Sequence, residues 1–154
     1  MKFILLTVIS ILLVGCFTRV NNGEYYLELL KKSEFGSAIS TGTTVTPIYM
    51  DDKSVIVIYD NIGPETGHEM VGLVVFVDGN YHHDYGSGGT VTCKVAGKKL
   101  SCSDTGNVEK IDISDILEGN TILLGGWIAC ARHGQERLKP AQCEQVERSV
   151  QSGQ

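Results

Sequence analysis

The sequence lacks the patterns by which many classes of protein are recognised. No segment is repeated, no heptad pattern of apolar residues occurs, and no apolar run is long enough to cross a bilayer. These absences argue against a repeat protein, a coiled coil and a polytopic membrane protein. Basic residues are in the minority, with 13 Lys and Arg against 18 Asp and Glu. Nucleic-acid binding is therefore disfavoured, because it depends on cations that neutralise phosphates.

The usual signatures of metal binding and of hydrolysis are missing as well. The spacings HExxH, CxxC and HxH do not occur, and adjacent strand residues point to opposite faces, so His82 and His83 are not expected to share an ion. Ser87 lies among glycines without the strand–turn–helix context of a nucleophile elbow. We therefore expect no metal, no cofactor and no enzymatic activity, and we expect His68, His82, His83 and His133 to lie at the surface or in loops.

The N-terminal stretch is a short positive start followed by an apolar run from Phe3 to Val14. Such a run before a small residue is typical of a secretory signal, and it is too short to span about 30 Å of hydrocarbon. Its closing residues, Leu13-Val14-Gly15-Cys16, resemble the lipobox of bacterial lipoproteins. The alternative is an ordinary secretory signal in which the cysteine occurs by chance.

The resemblance implies how the chain is processed. Bacterial lipoproteins are cut before the cysteine, which is acylated on its sulfur and its amine, so Cys16 is the expected lipidation site and membrane anchor. In enterobacterial relatives an Asp after the cysteine retains the protein at the inner membrane, and Phe17 at that position implies the outer membrane. We expect residues 1–15 to be a signal peptide, residues 16–23 a lipidated anchor and tether, and residues 24–154 a single periplasmic β-rich domain.

Loss of Lys2 with the signal leaves 12 basic and 18 acidic residues, a net charge of −6. A mildly acidic surface keeps the domain soluble and would suit a basic partner. It does not favour adhesion to anionic lipid by charge, so the acyl chains are expected to carry the membrane affinity.

Four cysteines remain after Cys16, an even number that indicates disulfides in an exported chain. The dipeptide Gly97-Lys98 predicts a type II′ turn that places Cys93 opposite Cys102 at a non-hydrogen-bonded pair, with Cα atoms about 4.5 Å apart. Cys130 would then pair with Cys143 across a loop of similar size. A crossed pairing stays open if Cys130 lies beside the first two.

Helical spacing occurs in two places. Tyr26, Leu29 and Leu30 predict a helix over residues 24–32, with a strand as the alternative, and Pro140 predicts a second helix that carries Cys143. A single helical turn is expected over residues 114–117. Residues 132–139 are expected to form a charged loop.

The rest of the chain has strand patterns separated by turns. The β-branched run Ser54–Tyr59 predicts a central strand, Pro47 places its own strand at an edge or a bulge, and Asp78-Gly79 predicts a hairpin. Residues 121–131 predict one long strand with a bulge or a close approach at Gly125-Gly126. The sequence therefore predicts a mainly β fold: a disulfide-stapled antiparallel β-sandwich or small barrel with one or two short helices.

Aromatic residues supply the remaining functional candidates. Tyr81 and Tyr85 are predicted to contact a partner protein, since Tyr is enriched at interfaces, whereas Trp127 is expected in the core. We expect a lipid-anchored protein that binds another envelope protein, as an inhibitor or immunity protein of a toxin or wall-degrading enzyme. Alternatives are an accessory subunit of a secretion or outer-membrane assembly, and a small ligand carrier or enzyme.

Overall fold

Secondary structure follows most of the predicted pattern in the computed structural model, which describes residues 21–62, 69–86, 91–104, 107–124, 126–134, 136–138 and 143. Within these residues the chain forms helices α1 (Gly23–Lys32) and α2 (Ile113–Leu117) and a 3₁₀ helix (Glu34–Ala38). The strands are β1 (Thr44–Met50), β2 (Ser54–Ile62), β3 (Glu69–Val77), β4 (Asn80–Gly86), β5 (Thr92–Ala96), β6 (Lys99–Asp104), β7 (Asn107–Asp112), β8 (Ile122–Leu124), β9 (Trp127–Ala129), β10 (Arg132–His133) and β11 (Glu136–Arg137).

Helix α1 forms where the apolar spacing predicts it, which rules out the alternative strand. The side chain of Asn22 accepts a hydrogen bond from the backbone N–H of Glu24 at 2.9 Å, which caps the first turn. Tyr26 and Leu30 are the fully buried residues of the helix and lie one turn apart on the face that meets the sheet. The predicted turn of helix at 114–117 is also confirmed, as α2.

Six strands form one antiparallel sheet in the order β1-β2-β3-β4-β10-β11. The predicted central strand is β2, between β1 and β3, and the residues 55–57 are buried on both of its faces. Pro47 lies on the edge strand β1, immediately before a shift of register at residue 48, so the predicted edge and bulge both occur. Asp78 and Gly79 both have positive φ, 48° and 77°, as a type I′ hairpin turn requires.

Strands β5, β6 and β7 form a second antiparallel sheet. Its first hairpin has the predicted register, with a φ of 62° at Gly97 and with Cys93 opposite Cys102. These two cysteines form a disulfide with their Cα atoms 4.1 Å apart. Cys130 and Cys143 form the other disulfide, with a Cα separation of 5.9 Å, so the uncrossed pairing is confirmed.

The two sheets pack as a β-sandwich with a helix on its outside. One face of the six-stranded sheet packs against the three-stranded sheet, α2 and the β8–β9 pair around the apolar side chains of Ile56, Leu73, Val75, Tyr85, Leu100, Ile111, Ile116 and Leu124. The other face packs against α1 and Phe35 around Tyr26, Leu30, Val55, Val57, Tyr59, Val74 and Phe76. A mainly β, disulfide-stapled sandwich is therefore the fold.

Two predictions about the later part of the chain are wrong. Residues 121–131 do not form one bulged strand: β8 and β9 pair antiparallel, with Leu124 opposite Trp127, so the chain reverses between these two residues, and Gly126 has a φ of 74°. Residues 132–139 are not a loop throughout, because β10 and β11 form a hairpin that extends the six-stranded sheet. Glycine pairs permit either a bulge or a turn, which is why the pattern did not decide between them.

Several predictions fall outside the described residues. These are the signal peptide and lipobox within residues 1–20, the position of His68, the surroundings of Ser87, and the helix expected after Pro140, apart from Cys143 itself. The side chain of Trp127 is likewise outside the description. Among the described residues, no helix has the length and apolar character needed to cross a membrane.

Candidate functional site

The two tyrosines predicted to contact a partner lie in β4 but differ in exposure. Tyr85 is fully buried, and its hydroxyl lies 2.9 Å from the carbonyl oxygen of Asn120 and 3.1 Å from that of Ile116, at the C-terminal end of α2. A ring that packs in the core and caps a helix offers no surface to a partner, so the prediction for Tyr85 is wrong. Tyr81 is partly buried and remains a candidate.

His83 is also not the surface residue that the sequence predicted, since it is fully buried. Its Nε2 lies 2.8 Å from the carbonyl oxygen of Ile116, and because a carbonyl only accepts, Nε2 carries the proton. Nδ1 is buried with no hydrogen-bond partner in the described structure. Burial lowers the pKa of His83 to about 4, so the ring is neutral at physiological pH.

A β-bulge in β4 decides which of its side chains face the helix side of the sheet. His83 lies opposite Val75 and Tyr81 lies opposite the next residue, Phe76, so His82 is an extra residue in the ladder. Without that residue, side chains three positions apart would point to opposite faces. The bulge instead places Tyr81 and Asp84 on the same face.

Asp84 is the buried charge at the centre of this face, with its side chain 3% exposed. The hydroxyl of Tyr81 donates to Asp84 Oδ1 at 2.9 Å, and Arg132 Nη2 donates to Oδ2 at 3.4 Å. Burial raises the pKa of Asp84, while the guanidinium of Arg132 and the Tyr81 hydroxyl act in the opposite direction. A carboxylate held in this way fixes the position of the arginine above it.

Arg132 extends along the sheet over Gly86. A Cβ atom at Gly86 would lie 2.7 Å from Arg132 Nη2, so a larger residue there would displace the guanidinium from this position. In the ladder, Arg132 lies opposite Asp84 on one side and opposite Arg137 on the other. The hairpin β10–β11 therefore places two arginines side by side on one face.

The 3₁₀ helix closes one flank of this region. Glu34 Oε1 lies 3.1 Å from His133 Nδ1, and the Phe35 and Tyr81 rings have centroids 5.9 Å apart. Gly134 has a φ of 61°, and a Cβ atom there would lie 2.7 Å from Glu34 Oε2. The backbone N–H of Gly134 donates to the Tyr81 hydroxyl at 3.4 Å. These contacts join the β10–β11 hairpin to the rest of the domain.

A cleft of about 180 Å³ lies beside the arginines and is lined by Gly86, Ile128, Ala129, Cys130, Arg132 and Arg137. Ile128 also belongs to an exposed apolar pair: it lies opposite Leu123, and the two residues are 41% and 44% exposed. Ile122, Leu124 and Ala129, which alternate with these two residues along the strands, are buried. We call the exposed side of β8–β9, formed by Leu123 and Ile128, the apolar pair, and we call the neighbouring cavity the arginine cleft.

A larger groove of about 470 Å³ lies between α1, the 3₁₀ helix and residues 39–43. Its one lysine, Lys31, forms an ion pair with Glu28 at 2.8 Å, and the other lining groups are small, polar or aliphatic. This groove lacks the converging charged groups that the arginine cleft has. In the described part of the chain, no three His, Cys, Asp or Glu side chains are placed to hold a metal ion.

Sequence reasoning missed Asp84, Arg132 and Arg137 as site residues. Asp84 lies in a strand whose bulge has no sequence signature. Both arginines lie in a stretch that the sequence predicted to be a charged loop. The separation of 48 residues between Asp84 and Arg132 also gives no local signal. A predicted hairpin turn at Gly134 would have indicated that Arg132 and Arg137 are cross-strand neighbours.

Comparisons of the chain with protein-family models, with curated proteins and with solved structures found no match in any of the three.

Proposed function

We propose that this protein is a lipid-anchored lipoprotein of the bacterial outer membrane that faces the periplasm and binds another envelope or secreted protein. It acts as an inhibitor or immunity protein of a toxin or of a wall-degrading enzyme, by binding rather than by catalysis, and the lipid is attached at Cys16. The observation that carries the binding function is the apolar pair Leu123 and Ile128 beside the arginine cleft.

The apolar pair breaks the usual pattern of a strand with one face in solvent. Ile122 and Leu124 point inward and are buried, so the outward positions of these strands would ordinarily be polar. Leu123 and Ile128 instead keep apolar surface in water, which becomes favourable when a partner covers it.

The surroundings of the pair have the composition of an interface centre. Arginine is enriched at such centres, and aliphatic side chains beside it exclude water from its polar contacts. The disulfide of Cys130 ties the chain directly after β9 to Cys143, and Glu109 accepts a hydrogen bond from Gly126 N at 3.0 Å at the tip of the hairpin. A surface held in this way loses little conformational entropy on binding, as a tight inhibitor requires.

Site-specific photo-crosslinking of the full-length protein in its native envelope tests this function. A photoreactive residue at Leu123 is expected to capture one discrete protein. The same residue at Val108, 64% exposed on the three-stranded sheet, is the matched control and should not capture it. The captured toxin or hydrolase should lose activity when the purified protein is added. Capture of a subunit of a secretion or outer-membrane assembly would favour the role of an accessory subunit over that of an inhibitor. Equal crosslinking from Leu123 and from Val108 would contradict binding at the apolar pair.

A further inference from the structure

We propose that the β5–β6 hairpin docks on anionic lipid headgroups of the membrane that holds the N-terminal anchor. This inference rests on the proposed function, since it takes acylated Cys16 as the anchor and adds how the domain lies on that membrane. The hairpin contributes Lys94, Lys98 and Lys99, which we call the hairpin lysines. Ammonium groups attract the phosphates of such headgroups at short range, so these lysines supply a contact that the acyl chains do not.

The first support is a local excess of positive charge on a chain whose mature net charge is −6. No Asp or Glu occurs in residues 85–103. All three hairpin lysines are exposed, and Lys99 pairs with Asp112 at 3.6 Å. Lys94 and Lys98 form no ion pair within the described part of the chain. The total charge of the chain therefore does not describe the surface of this hairpin.

The register of the three-stranded sheet shows that Lys94 points away from the core. Val95 lies opposite Leu100, which is fully buried, so this cross-strand pair faces the interior of the sandwich. Side chains of adjacent strand residues point to opposite faces, and Lys94 is the neighbour of Val95. Lys98 is at the second position of the hairpin turn and is exposed as well. Both ammonium groups are therefore available to a surface that approaches the hairpin.

The second support is the position of the anchor. Asn21, the first described residue, lies beside residues 47–50 of the edge strand β1, and β5 packs against the same strand. A Cβ atom at Gly23 would overlap the backbone oxygen of Val45, so the start of α1 also contacts β1 closely. Asn21 follows Cys16 by five residues, which span at most about 18 Å even when fully extended. An acylated Cys16 therefore holds the β1 and β5 edge of the domain close to the lipid surface.

A short tether makes a weak contact sufficient. Groups that are joined by a short flexible linker meet at an effective concentration in the millimolar range, so docking is an intramolecular step. Each lysine at an anionic surface raises the affinity roughly fivefold. Lys94 and Lys98 together should therefore raise the ratio of docked to undocked protein roughly 25-fold. The acyl chains hold the protein on the membrane, and the hairpin lysines set its orientation there.

Acidic residues of the β1–β2 turn oppose this attraction in part. Asp51 accepts hydrogen bonds from the Tyr49 hydroxyl at 3.0 Å and from the backbone N–H groups of Lys53 and Ser54, and Asp52 lies beside Lys53 in the sequence. Charges act over only about 8 Å at physiological ionic strength. The docking therefore depends on the lysines nearest the surface, and we expect it to weaken at high salt.

The strand order keeps this contact away from the apolar pair. β5 is an outer strand of the three-stranded sheet and packs against β1, whereas β7, at the other side of that sheet, packs against β8. A domain that rests on the membrane through its β5 edge therefore keeps Leu123 and Ile128 accessible to a partner protein.

Nuclear magnetic resonance of the acylated protein in lipid nanodiscs with spin-labelled headgroups tests the docking. The nanodiscs contain phosphatidylcholine alone or a mixture with anionic phosphatidylglycerol. With the anionic mixture, we expect the amide signals of β5 and β6 to lose more intensity than those of α1. This difference should disappear with phosphatidylcholine alone and at high salt, because the attraction is electrostatic.

Two double variants assign the effect to the hairpin lysines. Lys94→Gln combined with Lys98→Gln should lower the docked-to-undocked ratio roughly 25-fold, so that β5 and β6 lose no more signal than α1 does. Lys31→Gln combined with Lys32→Gln removes the same charge from exposed positions on α1 and should leave the wild-type result unchanged. The amide signals of β2 and β3, inside the larger sheet, report whether each variant is folded.

The outcomes separate this inference from the proposed function, and mass spectrometry of the N-terminal peptide shows whether Cys16 is acylated. Acylated protein whose β5 and β6 signals are attenuated no more than those of α1 overturns the docking alone, as does a Lys94→Gln and Lys98→Gln variant that behaves like the wild type. Signal changes in the hairpin with soluble polyglutamate but not with anionic nanodiscs would overturn lipid as the ligand in favour of an acidic protein. Protein without acyl chains overturns the anchor and this inference with it, while the crosslink at Leu123 tests partner binding independently.

Discussion

Acid should destabilise this domain through His83, and replacement of His83 by Gln should remove that effect. In the wild type, Nε2 of His83 donates to the carbonyl of Ile116, while Nδ1 is buried without a hydrogen-bond partner in the described structure. Protonation would place a charge on a fully buried ring and would create an N–H group with no acceptor. Glutamine retains an N–H donor for the Ile116 carbonyl and does not titrate.

The sign and size of the effect follow from the pKa of His83. Burial lowers the pKa from 6.5 to about 4 in the folded protein. Between these values the unfolded chain binds a proton that the folded chain does not, so the free energy of unfolding falls as the pH falls. The contribution of neutral His83 is fully present above pH 6.5 and is lost by about pH 4. A shift of this size corresponds to about 3 kcal/mol, since each pKa unit is worth 1.36 kcal/mol.

Urea unfolding of both proteins at several pH values between 4 and 7.5 measures this loss. Burial raises the pKa of Asp84, so Asp84 changes the free energy of unfolding with pH in the opposite direction to His83. The pH dependence of the wild type alone therefore does not isolate the effect of His83. Subtracting the free energy of unfolding of the His83→Gln variant from that of the wild type cancels the contribution of Asp84, which both proteins share. This difference in free energy should change by about 3 kcal/mol across the pH range. His82→Gln, at the exposed neighbouring position, is the matched control and should track the wild type. A difference that stays constant from pH 7 to pH 4 would refute the reasoning.

Three further variants test the anchor and the packing. Cys16→Ser should abolish incorporation of labelled palmitate and cleavage of the signal peptide, and a labelled variant would contradict the lipid assignment. Replacement of both Cys93 and Cys102 by Ala should lower the free energy of unfolding by about 3 kcal/mol, the chain-entropy value for a nine-residue separation, and denaturant unfolding without reductant measures it. Gly72→Ala should cost about 1–3 kcal/mol, because a Cβ atom there would overlap the backbone oxygen of Tyr85 and the Tyr59 ring, and an unchanged thermal midpoint would disprove these close approaches.

The parts of the fold that the sequence predicted correctly are those set by local chemistry. The turn at Gly97 fixed the register of β5 and β6 through one positive φ, and that register brought Cys93 and Cys102 together. The spacing of Tyr26 and Leu30 fixed α1 because both side chains had to reach the same apolar sheet. In each case, a pattern within about ten residues determined the structure.

The edge of the six-stranded sheet was missed because its strands are too short for a pattern. β10 and β11 have two residues each, and Arg132 and His133 are exposed, so neither the period-2 alternation nor an apolar run marks them. Their position in the sheet depends on pairing with Asp84, far away in sequence. Short polar strands of this kind are recognised only once their partner is known.

The candidate site depends on one extra residue in β4. A regular strand would point Tyr81 and Asp84 to opposite faces, leaving the buried carboxylate without the hydroxyl that holds it and Arg132 without a fixed support. The bulge at His82 brings the two groups within 2.9 Å and leaves His83 and Tyr85 facing the other core, where both bind carbonyl groups at the end of α2. The same strand thus anchors a helix on one face and positions an arginine on the other. A bulge changes the direction of every side chain beyond it. The assignment of these side chains to the two faces of the sheet therefore follows from the register of β4 and not from its composition.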